Sequence, residues 1–127
     1  MSARELVVLG TAAQVPTRTR AHHGAFLRWG DEGVLFDPGE GTQRQLTLAG
    51  IPVGAVTRIC ITHLHGDHCL GLPGVLQRMS LDRVQRPVDV YFPAEGQEYV
   101  DRLRHASATG RDVEVREHPV ARDGPVH

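Results

Sequence analysis

The sequence contains 127 residues, of which 40% are hydrophobic, and this is enough for one domain, residues 1–127, with a modest core. Such a composition excludes a disordered or fibrous protein. Arginine supplies all 14 basic residues against 15 acidic ones, so the net charge of −1 excludes a strong overall attraction to nucleic acids.

Short apolar runs that alternate with helically spaced apolar residues predict a layered α/β fold. Three strands come first, at 6–9, 24–29 and 34–36, and they are expected to form a meander. A helix follows at 42–49, with Thr42 as its N-cap. The later elements are predicted as a strand at 58–62, a helix at 74–83, a strand at 88–92, a helix at 94–106 and a half-buried strand around 113–116, before a polar tail after His118.

The two cysteines and the N-terminal sequence bear on the compartment. Cys60 and Cys69 do not form a CxxC pair, which fits a reducing compartment better than a disulfide framework. A buried, unreactive thiol is the preferred interpretation of Cys69, with metal ligation as the alternative. Residues 1–10 hold an apolar run too short for a signal core, and no stretch is long enough to span a bilayer. We therefore expect a cytoplasmic protein without a membrane partner.

Residues 63–68, HLHGDH, place three imidazoles and a carboxylate within six positions directly after an apolar run. Neutral imidazole and ionised carboxylate are donors that zinc prefers. At an extended strand end, His63 and His65 project to the same side and can bind one ion. The glycine that follows allows a turn, which would carry Asp67 and His68 into the same cavity but displaced, as a second ion requires. The segment therefore predicts a two-metal site in outline.

Two simpler explanations of these histidines are less favoured. An accidental cluster on a solvated loop is disfavoured because four donors sit at a strand-to-turn junction. A metal-scavenging tail is disfavoured because apolar sequence flanks the motif on both sides. In layered α/β folds, sites gather at the carboxyl ends of strands, and Asp37 also follows a predicted strand. We therefore expect Asp37 and residues 63–68 to face one cleft.

Five short motifs of the sequence, taken in combination, carry a family resemblance: LGT at 9–11, PT at 16–17 with Arg18 and Arg20 nearby, LFDPGEGTQRQL at 35–46, THLHGDH at 62–68 and GLPG at 71–74. Together they resemble ribonuclease Z, the transfer RNA 3′-processing endonuclease family of the metallo-β-lactamase superfamily. The HxHxDH signature alone indicates only the superfamily, which also contains lactamases, lactonases, glyoxalases and sulfatases. The GEGTQRQL run narrows the resemblance to ribonuclease Z. The resemblance as a whole covers residues 6 to about 106.

This resemblance implies a four-layer αββα sandwich, of which the chain supplies roughly the N-terminal half. It implies that His63 and His65 bind a first zinc ion, that Asp67 and His68 bind a second, and that Asp67 is also the general base. The implied reaction is hydrolysis of a phosphodiester in precursor transfer RNA, which removes the 3′ trailer. The family's members act as homodimers, so a homodimer is expected here.

Other residues receive weaker expectations. Asp37 and Thr42 are candidates to hydrogen-bond the outer nitrogens of the ligand histidines or to fix the loop, against the alternative of an ordinary helix start. Arg18, Arg20 and the pair 22–23 lie on a predicted loop near the cleft, where they either meet phosphate or, by preference, are solvated.

A complete dinuclear site needs more ligands than this chain's motif supplies, and relatives provide them from a downstream half. His105, His118 and His127 are the remaining candidates, and core or surface roles are expected for them. One half of the sandwich alone exposes an apolar sheet face. We therefore expect the isolated chain to be marginally stable unless it dimerises or meets its other half, and to be inactive on precursor transfer RNA.

Three functions remain open at this point. The preferred one is the N-terminal half of a ribonuclease Z. The second is another hydrolase of the superfamily, such as a small-molecule phosphodiesterase or an arylsulfatase. The third is a non-catalytic metal-binding or interaction domain. The ligand set also accepts manganese or iron, so the sequence does not determine the metal.

Overall fold

A single six-stranded sheet organises the chain, in the strand order β1-β2-β3-β4-β5-β6. The structure is a computed structural model and describes residues 4–108 and 112–125. Strands β1 to β3 are antiparallel, which confirms the predicted meander, and β3 to β6 are parallel. The strands are β1 Arg4–Gly10, β2 Gly24–Trp29, β3 Glu32–Phe36, β4 Arg58–Cys60, β5 Val88–Pro93 and β6 Val115–Val120. The helices are α1 Thr42–Leu48, α2 Gly66–Cys69, α3 Leu72–Leu81 and α4 Gln97–Arg104.

One face of the sheet is covered by helices. Phe26, Leu35, Ile59 and Val90 are paired side by side across β2 to β5, and all four are fully buried. They form one core cluster with side chains of α1, α3 and α4. Burial of each such side chain contributes about 1.5–3 kcal/mol. The core therefore lies between the sheet and one helical layer.

The opposite face of the sheet is open over its antiparallel strands. Because side chains alternate along a strand, the neighbours of the core residues point to this second face. Leu6, Val8 and Trp29 remain 64%, 61% and 51% exposed on it. An exposed apolar sheet face is what the resemblance implied for one αβ half of the sandwich.

The helices begin and end at other residues than predicted. Helix α1 has Gly41, in the left-handed region at φ 88°, as its N-cap, so Thr42 is the first helical residue and the predicted cap is wrong. Helix α3 begins two residues before the predicted start, because Pro73 is tolerated in a first helical turn. It ends before Arg83, whose φ is 56°. The predicted helix 94–106 begins with a separate 3-10 turn, Ala94–Gly96, and its α-helical part ends at Arg104.

The predicted strands are shifted at both ends of the parallel half. Strand β4 ends at Cys60, since Asp37 in the neighbouring loop takes over the backbone N–H of Thr62. Residues 121–125 are exposed and lie outside the sheet, as expected for the predicted polar tail after His118, but β6 extends two residues into that tail, to Val120. Parallel pairing with the whole of β5 holds the residues of β6 in the sheet despite their polar sequence. Among the described residues, no helix combines the length and apolarity that crossing a membrane requires.

Helix α4 is fastened to β6 by Glu117. Its carboxylate accepts hydrogen bonds from Gln97 and Arg104 on the helix. Burial acts to raise the pKa of Glu117, but these hydrogen bonds and the guanidinium charge outweigh it and lower the pKa. A lowered pKa in the folded state stabilises the fold above the ordinary glutamate pKa, and this stabilisation is lost as the pH falls through the lowered value.

Replacement of Glu117 by glutamine is therefore expected to make stability less dependent on pH in the acid range. At pH 7 the variant should lose up to about 1 kcal/mol, since the ion pair is partly solvated. At about pH 3, below the ordinary glutamate pKa of about 4.3, the difference should shrink. Urea unfolding at both pH values measures it. Glu114→Gln, at an exposed carboxylate paired with Arg116, is the matched control and should show no such trend. Equal dependence of stability on pH for the two variants would contradict a stabilising role of the lowered pKa of Glu117.

Candidate metal centre

The HLHGDH segment lies at the carboxyl end of β4 and brings its four predicted ligands together. His65 is extended, with φ −69° and ψ 144°, and the predicted turn after it is the one-turn helix α2. The ring of His63 lies 4.7 Å from that of His65 and 4.2 Å from that of His68, between ring centroids. On α2, Nε2 of His68 lies 3.4 Å from Oδ2 of Asp67. Three imidazoles and one carboxylate therefore share one corner of the sheet.

Asp37 holds the base of this cluster. It follows β3, is buried, and adopts the left-handed region at φ 48°. Its carboxylate accepts hydrogen bonds from the backbone N–H of Thr62 at 2.7 Å and from the Thr62 hydroxyl at 2.9 Å. Its Oδ2 also lies 3.3 Å from Nδ1 of His68. Asp37 and residues 63–68 thus face one cleft, as the strand ends predicted.

The hydroxyl of Thr62 determines which nitrogen of His63 is free. Thr62 Oγ1 lies 2.9 Å from Nδ1 of His63. The hydroxyl has a single hydrogen, which it donates to Asp37, so Nδ1 of His63 must be the donor in this contact. Nε2 of His63 then keeps its lone pair, which is the state a metal ligand requires.

Thr42 fixes the loop and does not contact a ligand histidine by hydrogen bonding. Its hydroxyl donates to the carbonyl of Gly39 at 2.7 Å, and its side chain is buried. Gly39 in turn has no space for a side chain, because a Cβ there would lie 2.4 Å from the carbonyl oxygen of Asp67. The structure therefore shows Thr42 fixing the loop and not hydrogen-bonding a ligand histidine.

Three residues of the loop between β1 and β2 also reach the cluster. The sequence placed residues 22 and 23 on a loop near the cleft without identifying them as part of the centre, and it did not identify Gln14. His22 is only 5% exposed, so the prediction of solvated loop histidines is wrong for it. The ring of His23 lies 5.0 Å from that of His68, and donor atoms of His23, Asp37 and His68 lie within 4.8 Å of one another. The backbone N–H of Gln14 donates to Oδ2 of Asp67 at 2.9 Å.

The remaining histidines lie elsewhere or outside the described residues. His118 stacks on Tyr91 at 4.4 Å and lies 2.8 Å from Oδ1 of Asp89, on the sheet face opposite the helices. His105 is exposed at the end of α4, with Nδ1 2.7 Å from the carbonyl of Asp101. Both have the surface roles that the sequence predicted. His127 is not among the residues that the structure describes.

Two ionisable groups of the centre are shifted in directions that suit their surroundings. The hydrogen bond from Gln14 lowers the pKa of Asp67, against a smaller opposing effect of burial, and the nearby His68 lowers it further. Burial and the charges of Asp67 and Asp37 raise the pKa of Cys69. The Cys69 thiol donates to the carbonyl of His65 at 3.3 Å and is buried, in agreement with the preferred interpretation.

A family comparison agrees with this geometry. Residues 19–126 match the family described as the metallo-beta-lactamase superfamily. The chain belongs to this superfamily. Its sheet with helices on one face corresponds to one half of the predicted αββα sandwich.

Individual relatives show which members of the metallo-beta-lactamase superfamily the chain is similar to. Ribonuclease Z of Nocardia farcinica is 66% identical over 126 residues, which are 99% of this chain and 41% of that protein. The crystal structure of the short form of human tRNase Z has 39% identity and a TM-score of 0.80, over 90% of this chain and 44% of the other. A diphosphatase of the PhnP family has 25% identity and a TM-score of 0.72, over 97% of this chain and 53% of the other. The predicted resemblance to ribonuclease Z is confirmed, over 41% of the curated relative's length.

Membership of the metallo-beta-lactamase superfamily implies a bound metal, and the side chains present fit one. Tetrahedral zinc with bonds of about 2.0–2.1 Å places neighbouring donor atoms about 3.3 Å apart. The 3.4 Å between Nε2 of His68 and Oδ2 of Asp67 matches that separation. Nδ1 of His68 is buried, and although it lies 3.3 Å from Oδ2 of Asp37, it makes no well-aligned hydrogen bond within the described part of the chain. Clustered nitrogen and oxygen donors of this kind are a borderline-hard ligand set for a divalent transition metal.

Proposed function

We propose that this chain supplies the metal-binding N-terminal part of a zinc-dependent phosphodiesterase of the ribonuclease Z type. The whole enzyme would remove 3′ trailers from precursor transfer RNA. The observation that carries the proposal is the joint placement of His63, His65, Asp67 and His68 around one cleft in a chain 66% identical to a ribonuclease Z.

Two ions are proposed for the complete centre. His63 and His65 would hold the first zinc, and Asp67 and His68 the second. The free Nε2 of His63 supports the first assignment. The donor separation of 3.4 Å between Asp67 and His68 supports the second. His23 lies against His68 and is a further candidate donor.

The proposed chemistry is hydrolysis at a phosphate. When bound, divalent ions lower the pKa of water and stabilise charge on phosphoryl oxygens. Asp67 would act as the general base, and its lowered pKa keeps the carboxylate ionised at neutral pH, the form that both a metal ligand and an unprotonated base require. Asp37 and Thr62 would hold His63 in its ligand tautomer. These residues supply orientation and proton transfer.

The proposed substrate and assembly follow from the same likeness. Arg18, Arg20 and Arg44 line a groove beside the centre, and their guanidinium groups suit the phosphates of a transfer RNA. The uncovered sheet face, with Leu6 and Val8, would be covered in the whole enzyme, which we propose acts as a homodimer in the cytoplasm. The isolated chain would then be inactive on precursor transfer RNA.

A chimera tests the proposal. Residues 1–126 of this chain replace the matched part of the Nocardia farcinica ribonuclease Z, and cleavage of a precursor transfer RNA is followed on a gel. We expect cleavage at the 3′ trailer and about two zinc ions per chain by elemental analysis. The isolated 127-residue chain serves as the comparison and should not turn over. A folded, zinc-loaded chimera without cleavage would contradict the proposal.

The likeness to a diphosphatase favours one alternative, a small-molecule phosphodiesterase. Assays of the same chimera on bis-aryl phosphates and aryl sulfates distinguish this alternative from the proposed ribonuclease Z activity. Faster turnover of a bis-aryl phosphate than of precursor transfer RNA would favour this alternative, and turnover of an aryl sulfate would favour a sulfatase. Tight zinc binding without hydrolysis of any of these substrates would leave only a non-catalytic metal-binding domain.

A further inference from the structure

We propose that His22 is a positioning residue for Asp67, which it holds in place through the backbone of Gln14. The inference rests on the proposed role of Asp67 as ligand and base. It assigns a function to a buried histidine that contacts no proposed substrate group.

The connection consists of two hydrogen bonds that meet at one residue. Nε2 of His22 lies 2.9 Å from the carbonyl oxygen of Gln14. A carbonyl only accepts, so Nε2 must carry the proton and donate. The backbone N–H of the same Gln14 donates to Oδ2 of Asp67 at 2.9 Å. One peptide segment is therefore held by His22 and in turn holds Asp67.

The two partners of Gln14 differ in how firmly they are held. His22 is buried, and its backbone is paired with Ala12 in an isolated bridge two residues before β2. Gln14 is exposed, in the left-handed region at φ 63°. A residue with a side chain costs about 1–2 kcal/mol in that region, so Gln14 stays there only when its surroundings hold it. A backbone hydrogen bond from Val15 to the carbonyl of Ala13, at 2.7 Å, closes the turn around Gln14, and the Nε2–H of His22 adds the buried side-chain contact to Gln14 itself.

Close packing beneath the loop explains why the support comes from His22. A Cβ at Gly39 would lie 2.5 Å from Cβ of His22 and 2.4 Å from the carbonyl oxygen of Asp67. His22 and the first turn of α2 therefore rest on the same glycine. Nδ1 of His22 is buried and lacks a hydrogen-bond partner among the described residues, so the donor contact to Gln14 is the polar interaction of this ring that the structure shows.

The consequence concerns the orientation of the Asp67 carboxylate. A carboxylate oxygen has two lone pairs, so Oδ2 can accept the Gln14 N–H and still serve as a ligand. The hydrogen bond selects one rotamer of Asp67 before any ion arrives. Loss of such a supporting contact typically lowers metal affinity by roughly 10–100-fold.

The experiment compares variants of the 127-residue chain with two readouts. Amide hydrogen exchange of Gln14, followed by NMR, reports the tether directly, and Co²⁺ titration followed by visible absorption reports the ligand site. His22→Leu should accelerate Gln14 exchange by roughly tenfold or more and weaken Co²⁺ binding by roughly 10–100-fold. His22→Gln places an amide N–H at the same distance along the side chain as Nε2 and should restore both values.

Two further variants guard against a general loss of structure. His105→Leu makes the same change at an exposed histidine on α4 and should leave both readouts unchanged. His22→Asn keeps a polar group, but one atom too short to reach Gln14. It should therefore also show faster Gln14 exchange and weaker Co²⁺ binding, and it provides the test if the leucine variant fails to fold. Unchanged exchange of Gln14, or unchanged Co²⁺ affinity in a chain that binds Co²⁺, would overturn the inference. An unmodified chain that binds no Co²⁺ would instead overturn the proposed function, and the exchange rates would still decide whether His22 holds Gln14.

Discussion

Replacement of Asp67 by asparagine is expected to lower kcat of the chimera on precursor transfer RNA by at least about 100-fold. The change removes the charge that would bind an ion and accept a proton. It keeps the shape of the side chain and an oxygen that can still accept the Gln14 N–H. The fold should therefore survive while the chemistry is lost. Single-turnover cleavage measures the rate, and elemental analysis of the same sample measures bound zinc.

The matched control is Asp31→Asn in the turn between β2 and β3, where the carboxylate is exposed. That variant should cleave at the rate of the unmodified chimera. If both bound zinc and cleavage are lost, Asp67 is a ligand. If cleavage is lost while zinc is retained, Asp67 acts as the base without being needed to hold the ion. An Asp67→Asn chimera with unchanged cleavage would contradict both roles.

The part of the centre that could be predicted is local in sequence. His63, His65, Asp67 and His68 are close in the chain, so a strand end followed by one tight turn is enough to bring them together. Their placement did not depend on the length of β4 or on whether the turn was helical. For the same reason the short apolar runs predicted which segments form strands, and the sequence predicted the meander of the first three.

The supporting contacts could not be predicted in this way, because they join distant segments. Gln14 and Asp67 are separated by 53 positions, and their contact requires the left-handed backbone of Gln14. One signal was available for His22 and His23: they immediately precede β2, whose start lies antiparallel to the end of β3 and hence beside Asp37. Burial of His22 itself, and not the composition of the mostly exposed loop, determined that this histidine is not solvated.

The strand predicted around 113–116 is displaced to Val115–Val120 in β6, for a related physical reason. Residues 115–120 are mostly polar, and an isolated sequence gives them little β propensity. In the structure they pair in parallel with a strongly apolar β5, and Glu117 and His118 each find a polar partner. The pairing of the backbone outweighs the side-chain preference here.

Replacement of Gly71 by alanine is expected to destabilise the chain by at least about 3 kcal/mol. A Cβ at this position would lie 2.0 Å from the carbonyl oxygen of Gly39, which is a backbone atom and cannot rotate away. Gly71 also donates its N–H to the carbonyl of Pro38 at 2.9 Å, so a shift breaks that bond. Since Gly39 contacts both His22 and the start of α2, the damage should reach the metal centre. Urea unfolding and Co²⁺ titration measure the two effects.

Gly54→Ala provides the matched control for this steric argument. Gly54 lies in a short 3-10 turn with no positive φ, and its Cβ would meet only a methyl group of Val84 at 3.8 Å. That distance is ordinary van der Waals contact, so the variant should stay within about 1 kcal/mol of the unmodified chain. Equal unfolding curves for the two alanine variants would show that the Pro38–Gly39 loop can move away from α3. The contact between that loop and the start of α3 would then not be what keeps Gly39 packed against His22 and the start of α2.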